Sequence, residues 1–310
     1  MSLSNVWQTF KSHPQYTLMR GLGRFVFFRN LVILSRKLRH TRSTDEFLLN
    51  CQKRMGQSVF HDVDLESFVD ELRTKGVAFG LRLPAGILEE LTLFAQNNPC
   101  YAYRRTEAGF RFNEHKLAEN SLQKPILLAQ YFNTAVQCNA VKQLINDPVL
   151  QWIAATYLQS VPTFVGANMW WTFPVKASEQ DRSEHAHLFH RDVDDYKFFK
   201  FFFYLTDVNP GEGAHVCVVA SHENPPRIKA SDKWTFRRYS DEEIDGFYAA
   251  KDIVEICGEA GTGFAENTLC IHKGRTPIAK ERLLLQLQYS LFDYGVTNDI
   301  RDAAQLQMLV

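Results

Sequence analysis

The stretch Arg282–Phe292 alternates with period two. Its odd positions, Leu283, Leu285, Leu287, Tyr289 and Leu291, form an apolar series, while the even positions bring Arg282, Gln286, Gln288 and Ser290. Residues i and i+2 share one face of a strand, so the leucine stripe must be covered by other elements. On its own, the opposite face reads as solvent-facing. In a barrel wide enough to hold a ligand, the same face becomes the lumen.

The rest of the chain favours the barrel. Leu65–Leu72 has helical spacing and Gly76 can stop it; Val77–Leu81 reads as a short strand, and Ala85–Gln96 as a helix with Ile87, Leu88, Leu91 and Phe94 on one side. A helical region is expected over Ile126–Leu144, and Asp147-Pro148 opens another through Tyr157. After Pro162 strands and turns take over: Phe164–Phe173, Lys197–Val208, His215–Ala220, Ile253–Ile256, Gly263–Ile271 and finally Arg282–Phe292. Lys197–Val208 is apolar on both faces, as a central strand is. Ser221–Asp252 reads as a polar insertion with short helices. The expected fold class is α+β with a mostly β core: a jelly-roll, cupin-like barrel over about 163–294, dressed by helices from the N-terminal half to about 162.

Chemistry enters with His190-Arg191-Asp192 and, eighty residues on, His272. His-x-Asp puts both side chains on one side of a strand. Two imidazoles and a carboxylate suit non-haem Fe(II) and leave coordination positions open. Arg282, ten residues past His272, adds a forked cation that can pair with a dicarboxylate. Each piece alone is weak, and their order with strand-like sequence around each makes the set specific. His185 and His187 precede the motif and read as substrate-side or surface groups. His215 and His222 read as structural hydrogen-bonders in turns, and Lys200 as a residue at the mouth of the pocket or at a solvated edge.

These residues resemble the phytanoyl-CoA dioxygenase-like family of Fe(II)/2-oxoglutarate oxygenases. The matching pieces are Phe189-His-Arg-Asp-Val193, Phe202-Phe-Tyr-Leu-Thr-Asp-Val208, Ser221-His222, His272-Lys-Gly274 with Pro277, and Arg282 leading into Gln288-Tyr289-Ser290. The resemblance covers about residues 62–294. It implies a double-stranded β-helix, with His190, Asp192 and His272 binding iron, Arg282 binding the far carboxylate of 2-oxoglutarate, and Tyr204 contacting that cosubstrate. The implied activity is hydroxylation of an aliphatic C–H of a small-molecule or lipid-like substrate, with O2 consumed and succinate and CO2 released. Val219-Ala220 and Gly213-Ala214-His215 depart from the family's usual Pro-Gly and Gly-Pro-His, at loops that bear on substrate type. The competing reading is a non-enzymatic cupin-like protein that binds a metal or carboxylate without turnover.

Charge separates off the N-terminal segment. Residues 1–44 hold eight Lys/Arg and no acid; the remainder, 27 basic against 35 acidic residues, stands at −8, so the whole is neutral. A uniformly basic nucleic-acid binder is not expected from this balance. The segment reads as a basic amphipathic arm ahead of a single domain spanning 45–310. Arg20, Arg24 and Arg36 interleave with Leu22, Phe25, Phe28 and Leu31. Packing on the main domain, lying on an anionic membrane surface, and disorder are all compatible with that pattern. Six cysteines without a CxxC or tight cluster are expected as reduced thiols of a cytoplasmic protein.

Overall fold

The computed structural model describes residues 11–223, 237–296 and 299–310. Part of the Ser221–Asp252 insertion lies outside the described residues. The chain opens with helices α1 (Pro14–Leu22), α2 (Val26–Lys53) and α3 (Leu65–Thr74), then β1 (Val77–Arg82) and α4 (Ala85–Asn97). Short strands β2 (Cys100–Ala102) and β3 (Gly109–Phe110) precede α5 (His115–Leu122) and β4 (Leu128–Tyr131). Helices α6 (Thr134–Gln137), α7 (Asn139–Ile145) and α8 (Pro148–Leu158) follow. The barrel half holds β5 (Thr163–Thr172), α9 (Glu179–Glu184), β6 (Phe198–Tyr204), β7 (His215–Val218) and α10 (Asp241–Phe247). It ends with β8 (Ile253–Ile256), β9 (Thr262–Glu266), β10 (His272–Gly274) and β11 (Arg282–Ser290).

Eight strands form one antiparallel sheet in the order β1-β9-β6-β11-β5-β4-β2-β3, and β10-β7-β8 form a second. The alternation of β11 is resolved by this arrangement. Leu283, Leu285, Leu287 and Tyr289 enter the large core shared with the helices, at roughly 1.5–3 kcal/mol per fully buried side chain. Leu284 joins a second cluster between the sheets, with Phe202, Tyr204, Cys217, Ile256 and Phe264. Arg282, Gln286 and Gln288 line a cavity on that same face. β6 sits between β9 and β11 and is buried along its whole length, as its two apolar faces require.

Two sequence expectations change. Ile126–Leu144 is not helical throughout: Leu128–Tyr131 is a strand paired with β2 and β5, and helix begins at Thr134. A short apolar run fits a buried strand or a buried helix equally, and here pairing with Met169–Thr172 decides it. The boundary drawn after residue 44 falls inside α2, which runs unbroken from Val26 to Lys53. Charge composition changes at that point, but no proline or glycine does, so the helix continues. One face of α2, through Ile33, Phe47, Leu48 and Cys51, packs on the core. Among the described residues, no helix is long and apolar enough to cross a membrane.

Candidate metal centre

Backbone pairing builds the centre. His190 and His272 exchange both N–H···O bonds at 2.9 Å, forming a one-residue bridge that sets their rings side by side, 4.3 Å between centroids. The partner of the bridge is the first residue of β10, itself held in register by β7. His190-x-Asp192 is therefore not on a regular strand. Asp192 lies just beyond the bridge, its N–H donating to the Thr268 carbonyl. Arg191 between them turns away to donate to the Leu269 carbonyl at 2.6 Å. The loop's exit is fixed by Asp195, whose buried carboxylate accepts from the Leu291 and Phe292 amides and the Tyr294 hydroxyl.

One ligand atom from each of His190, Asp192 and His272 lies within 4.8 Å of the others. Asp192 Oδ1 is 3.6 Å from His190 Nε2, and Oδ2 is 3.6 Å from His272 Nε2. The remaining ring nitrogens decide what the site can do. His190 Nδ1 bonds the Leu188 carbonyl at 3.0 Å and His272 Nδ1 bonds the Cys270 carbonyl at 2.9 Å. A carbonyl can only accept, so both protons sit on Nδ1 and both Nε2 lone pairs face the carboxylate. That is the tautomer a metal requires, held by the same kind of backbone partner that orients metal-ligating histidines. The donor set fits a divalent transition metal.

Electrostatics favour the deprotonated forms of His190 and Asp192. Burial, reinforced by His272, holds the His190 imidazole well below its usual range. Burial alone would raise Asp192, but Lys200, with His272 and His190 behind it, pulls the carboxyl below the usual carboxylate range. Lys200 projects from β6 to within 2.7 Å of Asp192 Oδ2 and 3.0 Å of Asp194 Oδ2, and is itself buried. It is thus neither at the mouth nor at a solvated edge, but braces the Asp192 carboxylate.

The cavity beside the three donors measures about 270 Å³. Arg282 is almost fully buried in its wall, donating to the Gly213 carbonyl and, at 3.2 Å, to Thr172 Oγ1, while its Nε has no partner among the described residues. An orphaned guanidinium nitrogen in such a wall suits an anionic guest. Tyr204 is placed otherwise than the resemblance implies. It does not line the cavity; its hydroxyl donates to the Ile256 carbonyl and accepts from the His215 amide. With both sides of the hydroxyl engaged, it serves packing between the sheets.

His185 and His187 do line the cavity, without joining the donor cluster. His222 is structural, between Cys270 Sγ and the Arg73 carbonyl. His215, read from sequence as structural, lines the cavity, with its Nε2 2.5 Å from Glu266 and its ring 5.5 Å from that of His272. Sequence reading also missed Arg104, Gln130, Asn168 and Trp170 in the same wall. The period-two pattern of β5 carries a signal for Asn168, a polar residue in an apolar strand; nothing local marks Arg104.

Burial drives His185 down to about 4 and His187 to about 3, with Arg104 and Arg282 respectively the largest charges acting against protonation. Both take up protons near 6.5 when unfolded. The unfolded chain therefore binds more protons as pH falls below 6.5, so their stabilisation is complete above that value and is lost toward pH 4. Burial raises Asp195 to about 6, which favours the folded state on acidification but involves one proton against two. The melting temperature of the metal-free protein is expected to fall between pH 7 and 5, and His187→Gln to flatten that slope. A flat or rising wild-type profile would contradict the assignment.

No family model matches the chain, and no curated protein matches it. Solved structures do. HygX from Streptomyces hygroscopicus, with nickel, 2-oxoglutarate and hygromycin B bound, is 13% identical, with 77% of this chain and 93% of that one covered at a TM-score of 0.52. The two share a fold. AviO1 from Streptomyces viridochromogenes Tue57 is 14% identical, covering 74% of this chain and 96% of that one at 0.48. SnoN, a non-heme alpha ketoglutarate dependent epimerase from nogalamycin biosynthesis, is also 14% identical, covering 73% and 82% at 0.47.

Proposed function

We propose that this protein is an Fe(II)/2-oxoglutarate-dependent oxygenase that hydroxylates an aliphatic C–H of a small molecule, on a double-stranded β-helix like that of the phytanoyl-CoA dioxygenase-like family. The observation that carries the reading is the pair of Nδ1-anchored histidines whose Nε2 atoms converge on Asp192, in a cavity shared with Arg282. HygX, of the same fold, holds nickel and 2-oxoglutarate. In this chain His190, Asp192 and His272 would hold iron, and Arg282 the far carboxylate of 2-oxoglutarate. Bound iron would supply activation of O2, coupled to decarboxylation of 2-oxoglutarate to succinate and CO2. The protein's share is to orient the ligands through Leu188, Cys270 and Lys200 and to keep bulk water from the reacting centre. Because Asp192 fills the third protein position, the product is expected to gain a hydroxyl group and not a halide.

Succinate formation from 2-oxoglutarate, dependent on Fe(II) and O2, tests the reading against the non-enzymatic alternative. A protein that binds metal and 2-oxoglutarate yet never produces succinate, with or without candidate substrates, belongs to the alternative.

We also propose that α2 meets an anionic membrane surface. Beside its packed face, Phe27, Leu31, Leu34 and Leu38 form an exposed stripe at i, i+4, i+7 and i+11. Exposed Lys37, Arg39 and Arg42 flank it, as basic residues do on helices lying in a lipid interface. The packing and surface readings of this segment thus occupy different faces of one helix. Co-sedimentation with anionic vesicles, weakened by salt and absent with neutral lipid, is the expected result. Phe27→Glu with Leu38→Glu should abolish it; retention by that variant would remove the stripe from the contact.

A further inference from the structure

Building on the oxygenase reading of this cavity, we propose that the substrate is a small polar molecule carrying an anionic group, a carboxylate or phosphate, which Arg104 binds. The lining holds four cationic side chains, Arg104, Lys200, Arg238 and Arg282, against two carboxylates, Asp192 and Glu184. A divalent metal and dianionic 2-oxoglutarate cancel one another, and Asp194 compensates one further charge by pairing with Lys200. Glu266, 2.5 Å from His215 Nε2 behind the wall, supplies one more negative charge, so the imbalance is local to two arginines and not a net surplus. Among the described residues no carboxylate pairs with Arg104 or Arg238, whereas Lys200 is doubly paired.

Arg104 is built for contact with a guest. It follows β2 in a turn where Tyr103 and Arg104 both take left-handed backbone angles, φ 54° and 61°, which side chains other than glycine adopt only at a cost. Its Nε donates to Gln130 Oε1 at 2.9 Å, and Gln130 Nε2 donates to Asn168 Oδ1 at 2.9 Å. That chain fixes the guanidinium plane by one nitrogen, and among the described residues the terminal nitrogens make no hydrogen bond, which suits a bidentate contact. The side-chain amides of Gln286 and Gln288 line the same wall and have no protein partner among the described residues. Such a surface suits hydroxyl or amide groups on the body of the guest. Among the described residues apolar lining is limited to Trp170, Phe202, Leu284 and Ala186, too little for an acyl chain, so the lipid-like substrate is disfavoured.

The test uses the full-length protein loaded with nickel and saturating 2-oxoglutarate. Gluconate, glucose 6-phosphate and uncharged glucitol are titrated by calorimetry. The anions are expected to bind and glucitol not. Arg104→Met should lower anion affinity tenfold or more, on the order of one charge-assisted contact, with 2-oxoglutarate affinity unchanged. Gln130→Glu, which sets a carboxylate against Arg104 while keeping the guanidinium, should weaken anion binding likewise and covers a failure of Arg104→Met to fold. Equal binding of glucitol, no binding of either anion, wild-type anion affinity in either variant, or a loss confined to 2-oxoglutarate would overturn the proposal. Wild-type protein that takes up no 2-oxoglutarate would sink the oxygenase reading instead. The same anion titrations of the metal-free protein, with Arg104→Met beside Arg282→Met, would then still decide which arginine binds the anion.

Discussion

His190→Ala, Asp192→Ala and His272→Ala are each expected to lower metal affinity and turnover by more than a hundredfold. Loss of a group that merely orients a ligand already costs about 10–100-fold, and here a ligand itself is removed. The three variants should differ in stability. Asp192 is also the closer of two carboxylates on buried Lys200, at 2.7 Å, so its removal leaves that ammonium with Asp194 alone. Breaking a buried pair costs up to about 3–5 kcal/mol, and the retained Asp194 keeps the loss below that bound. Asp192→Ala should therefore melt earlier than His272→Ala in the metal-free state. Calorimetric titration with Fe(II) or nickel, beside thermal melts, reads both effects. Wild-type affinity in any one variant would take that residue out of the site.

Arg282→Met should raise the 2-oxoglutarate requirement about a hundredfold, with kcat at saturating cosubstrate much less changed. A charge-assisted bidentate contact to a carboxylate is worth roughly 2–3 kcal/mol, which is that ratio. The arginine also donates to the Gly213 carbonyl and Thr172 Oγ1, so some loss of stability is expected alongside. KM for 2-oxoglutarate, measured with iron saturating, separates the two roles. An unchanged KM with a lowered melting temperature would make Arg282 a brace for the Gly213 turn.

Much of this architecture is legible in residue order. Period two along Arg282–Ser290 carries the division between a leucine face under the helices and an Arg/Gln face toward the cavity, because side chains alternate strictly across a pleat. The two apolar faces of Phe198–Tyr204 carry its central position, and Asp147 before Pro148 carries a helix start, since its carboxylate accepts from the Val149 and Leu150 amides. The three candidate donors, His190, Asp192 and His272, are picked out by residue type, spacing and order together, and the fold brings one ligand atom of each within 4.8 Å of the others. Other features have no local signature. Leu128–Tyr131 is a strand because β5 and β2 lie beside it, not because of its own apolar run. Tyr204 shares a face with Lys200 in β6, yet Lys200 braces the Asp192 carboxylate and Tyr204 ties two sheets together. Arg104, some eighty residues before the metal motif, enters the cavity only through a left-handed turn and a hydrogen-bond chain across β4 and β5. Periodicity and residue chemistry act within a few residues and are readable in one dimension. Which distant side chains share a cavity depends on strand order and register, and those are decided by the packing of the whole chain.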